Sequence, residues 1–284
     1  MHLNSHTSNA IGHMPSTMAL LCALGVCSAK EPSQMSIAEL HTAYDANPRD
    51  VDVALSLGIR YHDELRKMGD GEGYRVRSNR KKMDDLHKKS MKYLKRAQFM
   101  TRFGPVPGAY IGSLTIIRGR DCCLSGRGLL VRWRGPLNFG IGAGMIDRAF
   151  KTDPDNVAVR LVRIADVENI PQQLTDGSDI TEKQKWVLRS ARIKLARQDL
   201  DFLLEKCKAD KQLAGRLNVA RLHLRSARLA GLNSKFDQAH QHLEQALTIS
   251  KKPDIIEEAN EIKKDLPKSA DDSLNETLKE FNID

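Results

Sequence analysis

Few residues in this chain stand at spacings that could do chemistry. Gly140-Ile-Gly142-Ala-Gly144 imitates part of a dinucleotide-binding loop. Such a loop works at a strand-to-helix turn, where backbone amides cradle a pyrophosphate. No β-strand-like run precedes these glycines, and Gly142 falls seven residues before Ala149, where a small helix-packing residue belongs. His240 and His242 are two apart, as are His62 and Glu64. On a helix that spacing sends side chains in diverging directions, so neither pair suits a metal ion. Gly-x-x-x-x-Gly-Lys-[Ser/Thr], His-Glu-x-x-His and Gly-x-Ser-x-Gly are all absent from the sequence. No catalytic residue, metal ligand or cofactor is expected, and the expectation is a non-enzyme.

The cysteines add no site. Cys22 follows Leu20-Leu21 and Cys27 follows Gly25-Val26, both poor matches to a lipoprotein cleavage site, and Cys122, Cys123 and Cys207 form no metal spacing and no disulfide framework. The run Met18–Val26 is apolar and is followed by Cys27-Ser28-Ala29, which fits a secretory signal peptide cleaved after Ala29. Residues 1–17 hold no Lys or Arg, so the usual charged start of a leader is missing. No apolar run approaches the ~20 residues a membrane span needs.

The elements that must position any binding residue are helical. Of 284 residues, 40% are hydrophobic and only 5% aromatic, a balance that suits helices better than sheets. An internal pattern recurs: an apolar residue, an Ala three later, and a Pro five beyond that. Leu40–Ala43–Pro48 and Ile146–Ala149–Pro154 carry it fully. Leu94–Ala97 has Arg102 in the Pro position, and Leu243–Ala246 meets Pro253 two residues late. A small Ala lets two helices approach, and the Pro ends the unit. Ala54, Leu57, Gly58 and Tyr61 then share one helix face. Gly112 follows Ile111 just as Gly58 follows Leu57.

Ala54-x-x-Leu57-Gly58-x-x-Tyr61 after Asn47-Pro48 resembles a tetratricopeptide repeat with Ala in place of the Trp. Asp153-Pro154-Asp155-Asn156 is similar to that family's inter-repeat turn, and Phe236-Asp237-Gln238-Ala239 with Leu243 and Ala246 to its second helix. The resemblance spans roughly residues 35–255, with units longer than the family's because Gly69–Arg80 and Cys122–Asn138 read as insertions. It implies an all-α superhelix, a solenoid of antiparallel helix pairs. The expected organisation is a signal peptide (1–29), a linker (30–34), a helical repeat domain (35–266) and a polar tail with a short helix (267–284). Within the domain a half-repeat helix at 35–46 precedes pairs at 51–67 with 81–101, 106–120 with 139–152, 156–169 with 182–206, and 212–230 with 235–249. A capping helix at 254–265 closes it.

What the resemblance implies about function is a non-catalytic protein–protein scaffold, exported to the periplasm or envelope, with a peptide or protein in its concave groove. Groove candidates are Leu55, Ile59 and His62, then Ser113, Ile116 and Arg120, then Arg160 and Arg163. The two arginines stand where the repeat frame expects apolar residues. Either the helix is rotated to use Val157, Leu161 and Ile164 as its core face, or the arginines are buried and paired; rotation is preferred because unpaired buried charge is costly.

Charge is uneven. Net charge is +9, yet residues 60–151 hold 21 Lys and Arg against 8 Asp and Glu. That middle fits an acidic partner, anionic lipid or nucleic acid, and a solvated face is the plainer reading. Arg75, Arg77, Arg80, Lys81 and Lys82 are expected to begin an exposed ridge that Lys88, Lys89, Lys92, Lys95 and Arg96 continue. The competing function is a cytoplasmic helical repeat protein that binds nucleic acid or an anionic surface through this region. Tyr74 and Tyr93 are too sparse to stack single strands, which disfavours nucleic acid.

Overall fold

The computed structural model describes residues 30–69, 77–124, 129–168 and 182–266. The proposed signal peptide, the tail at 267–284 and Arg75 lie outside the described residues. After a short 3-10 turn at Pro32–Gln34, every regular element among the described residues is an α-helix: α1 (Ile37–Ala46), α2 (Val51–Gly69), α3 (Arg77–Met100), α4 (Pro105–Leu124), α5 (Leu129–Thr152), α6 (Val157–Glu168), α7 (Glu182–Ala209), α8 (Lys211–Leu217), α9 (Val219–Leu232), α10 (Phe236–Ile249) and α11 (Pro253–Lys264). The all-α class read from the sequence is what the chain adopts.

Local chemistry sets the helix starts. The Ser36 hydroxyl accepts from the Glu39 amide, and the Glu39 carboxylate accepts from the Ser36 amide, a reciprocal capping box at α1. Lys30 bonds the same carboxylate at 2.9 Å, and with Ser36 it draws the Glu39 pKa down to about 2. Asp50 caps α2 by accepting from the amides of Asp52 and Val53, both at 3.0 Å. At α6, Asn156 accepts from the Val159 amide while its own amide group donates to Asp153. The Asn-Pro and Asp-Pro-Asp-Asn turns therefore deliver capping side chains as well as a proline stop.

Three expectations need correction. The insertion at Cys122–Asn138 is largely helix extension, and the helix expected at 139–152 opens at Leu129. The segment Gly69–Arg80 is shorter than read, because α3 begins at Arg77. The single helix expected at 212–230 is broken at Asn218, which takes a left-handed φ of 54° and caps α9. Asn tolerates that conformation better than most residues.

The core is a chain of linked clusters. One joins α1, α2, α3 and α4 around Leu57, Tyr93 and Leu114. The next joins α4, α5 and α6 around Ile116, Ile146 and Val162. A third joins α6, α7 and α9 around Ile164, Leu203 and Leu229, and the last joins α9, α10 and α11 around Leu224, Leu243 and Ile255. Neighbouring clusters share one helix each: α4, α6 and α9.

Small residues set the crossings. Ala54, Ala97, Ala149 and Ala246 are buried, as the repeat pattern requires. A Cβ on Gly58 would stand 2.6 Å from Leu94 Cγ. Between α4 and α5, Gly112 and Gly142 face each other, and a Cβ on Gly112 would meet the Gly142 carbonyl oxygen at 2.6 Å. The phosphate-loop look of residues 140–144 is thus a helix crossing. Gly144 has nothing within 4 Å of where its Cβ would be. Gly142→Val should therefore destabilise the protein by roughly 1–3 kcal/mol, while Gly144→Ala should stabilise it by up to about 1 kcal/mol through helix propensity. Urea denaturation of both variants checks this; equal effects would place the crossing elsewhere.

Candidate functional site

The first helix of each pair brings polar groups into the interior. His62 on α2 and Ser113 on α4 are buried, with His62 Nε2 and Ser113 Oγ 2.8 Å apart. The Ser113 hydroxyl donates to Asp166 Oδ1 on α6 at 2.8 Å. Tyr110 stands edge-on to the His62 ring at 5.1 Å, and burial pushes its phenol well above the usual range. Burial also raises the Asp166 carboxyl, with Arg66 pulling the other way, and Asp166 Oδ2 has no hydrogen-bond partner.

His, Ser and Asp together suggest a nucleophile, but here the serine hydroxyl also bonds a second, buried carboxylate, Asp166. In a catalytic triad the imidazole accepts the serine proton and the carboxylate orients the imidazole. Here serine stands in the middle and gives its single proton to Asp166. His62 Nδ1 lies 3.3 Å from Asp63 Oδ1, and the direction of the Nε2–Ser113 bond depends on the imidazole tautomer. With Ser113 fully enclosed and His62 1% exposed, the chain ties α2, α4 and α6 together.

Of the groove candidates, His62, Ser113 and Ile116 are buried within the fold. Leu55 and Ile59 are half-buried against the first cluster. The Arg120 side chain lies outside the described residues. A buried side chain presents no surface to a peptide, so the expected groove lining is corrected at those three positions.

Arg160 and Arg163 need the same correction. They are 8% and 4% exposed and share the wholly buried Asp199 of α7. Arg160 Nη1 donates to Asp199 Oδ1 at 2.6 Å; Arg163 donates through Nε to Oδ2 at 2.5 Å and through Nη2 to Oδ1 at 2.6 Å. Both guanidinium groups lie over aromatic faces, Arg160 at 3.6 Å from the Phe202 centroid and Arg163 at 3.7 Å from that of Phe150. The preferred rotation of α6 is overturned, and the paired alternative describes the molecule. Sequence reading missed Asp199, although it stands three residues after Ala196 and four before Leu203, on a face that is otherwise core. Asp199→Ala leaves two buried guanidinium charges without an anion and should cost about 3–5 kcal/mol. Chemical denaturation measures this, and a loss below about 1 kcal/mol would mean the arginines reach solvent instead.

A second histidine pairing was also missed. His242 meets His223 of α9 and not its sequence neighbour His240, with the two Nδ1 atoms 3.2 Å apart. The pair lines an open cavity of ≈ 850 Å³ with Asp201, Glu205, Lys208 and Glu244. Burial holds both imidazoles below the ordinary value of 6.5, with His242 adding to the effect on His223. Folding thus favours the neutral rings. Their stabilising contribution is complete above the unfolded-state pKa and is lost as pH falls toward the lower folded value. The unfolding midpoint should fall between about pH 7 and about pH 5, and His223→Gln with His242→Gln should shrink that fall. An unchanged pH profile in the double variant would rule the pair out as its source.

The basic region divides in two. Arg80 is half-buried, and Lys81 and Lys82 are exposed at the start of α3. Arg77 is the first residue of α3, and its side chain is outside the described part. Further along, Lys89 is paired with Asp85 at 2.8 Å. Among the described residues no three His, Cys, Asp or Glu side chains gather as metal ligands. No described helix is long and apolar enough to cross a membrane.

Compared with known proteins, the chain matches no family model, no curated protein and no solved structure. The tetratricopeptide resemblance therefore rests on the residues that carry it.

Proposed function

We propose that the chain is a non-catalytic protein-binding scaffold of the tetratricopeptide type, exported to the periplasm or cell envelope, that holds an acidic protein or peptide. The observation that carries this reading is a stack of helix pairs crossing at Gly and Ala, with an exposed basic face. Successive first helices (α2, α4, α6 and α9) contact one another, a spacing expected on the inner side of a curved stack. The polar side chains of those helices are largely spent on internal bonds. That leaves the second helices, α3 above all, as the surface free to meet a partner. The export reading rests on Met18–Val26 and the small residue at Ala29.

Purification from the native source tests both parts. The mature chain should begin near Lys30, and in-cell cross-linking from position Lys82 should capture one protein repeatedly. That protein, purified, should bind the full chain with a micromolar or tighter Kd that weakens as salt rises. An intact Met1 or Met14 would remove the export reading. Cross-links to nucleic acid in place of protein would replace the scaffold reading with its competitor.

A further inference from the structure

Building on the scaffold reading, we propose that the cleft between α3, α4 and α5 is the docking site for an amphipathic acidic helix of the partner, with its carboxylates on α3 and its apolar face on α5. Lys88, Lys92 and Lys95 follow one another at four- and three-residue steps, a single stripe along α3. Arg118 of α4 faces them across a cavity of ≈ 460 Å³ whose wall includes Met91 and Thr115. No carboxylate lines this cavity among the described residues. The acid that α3 does pair, Asp85, is engaged by Lys89 outside it. Lys92 lies 5.3 Å from the Tyr93 ring centroid, and Lys88, Lys95 and Arg118 have no ion pair among the described residues. Four cations held around one concavity repel each other until an anion enters, so an acidic ligand gains from all of them together.

The opposite bank is of a different kind. Asn138 of α5 lines the cavity, flanked by Leu137 and Ile141, one helical turn apart and 61% and 47% exposed. Continuing the lysine stripe one turn beyond Lys95 brings Phe99, 72% exposed, and the turn that follows carries Phe103, 74% exposed. Large apolar side chains exposed to water on the helices beside a charged cleft mark a docking surface. Cations on one bank and aliphatic groups on the other select a ligand that is acidic on one face and apolar on the other, the pattern of a helix laid in a groove. From Lys88 to Phe99 the stripe runs about 16 Å along α3, about three turns of a bound helix. Single-stranded nucleic acid fits less well, because Phe99 and Phe103 follow the lysines at one end and are not interleaved with them, and the α5 bank is aliphatic.

The test uses the full chain and fluorescence anisotropy with a labelled synthetic helix that places Glu on one face and Leu on the other. A same-composition scrambled peptide and an oligothymidylate are run in parallel. The patterned helix should bind roughly tenfold or more tightly than the scrambled one. Combined Lys88→Glu, Lys92→Glu and Lys95→Glu should abolish binding. Leu137→Ser with Ile141→Ser should weaken it severalfold at every salt concentration. Circular dichroism and melting of these surface variants should match the parent, and a milder Lys→Gln set serves if charge reversal perturbs the fold. Equal binding of patterned and scrambled peptides, or indifference to the lysine variants, overturns the cleft assignment. If the native cross-linked partner still binds the lysine variants with unchanged Kd, the cleft falls and the scaffold reading stands. Tighter binding of oligothymidylate through the same lysines overturns both.

Discussion

Each first helix of a pair must be buried on two sides, against its own partner helix and against the next pair. This constraint organises the molecule. Helices α4, α6 and α9 each belong to two neighbouring core clusters, so very little of their surface remains free. Polar groups on such helices must be satisfied within the protein or not at all, because a lone buried polar group costs a few kcal/mol. The Arg160–Asp199–Arg163 cluster meets that requirement, and the His62–Ser113–Asp166 chain meets it in part, with Asp166 Oδ2 left without a hydrogen bond. The first links the two helices of one pair and the second links helices from three successive pairs, giving the stack defined contacts where apolar packing alone would permit sliding.

The same constraint explains where glycine is used. A helix with close neighbours on two faces can tolerate side-chain bulk only where the crossing is wide. At the α4–α5 crossing both helices present glycine, so backbone lies almost on backbone. A glycine inside a helix costs about 1 kcal/mol relative to alanine. Gly112 and Gly142 recover that cost in contact across the interface, whereas Gly140 and Gly144 on the open side meet nothing.

The proposed function follows from what the constraint leaves over. With the first helices of the pairs occupied by their own bonds, charge accumulates on α3. There Lys88, Lys92 and Lys95 share a cavity with Arg118. Recognition would then reside on a different face from the groove that the resemblance points to, and it would depend on complementary charge joined to exposed aliphatic surface.

The sequence by itself determined the elements. Helix content, nearly all helix positions, the Ala and Gly crossing points and the capped Asn-Pro and Asp-Pro turns follow from periodicity and local chemistry, which act within a few residues. The break at Asn218 and the early start of α5 at Leu129 were not legible, because helix propensity changes too little there to mark a boundary. Tertiary structure alone decided which polar residues meet. Asp199 stands 36 residues from Arg163, and Ser113 stands 53 from Asp166. His242 meets His223 on an adjacent helix, while spacing along its own helix pointed only to divergence from His240. A local pattern shows which face of a helix is apolar. It cannot show which groups face each other once two helices cross, because that depends on the crossing angle and on the bulk removed at each glycine and alanine.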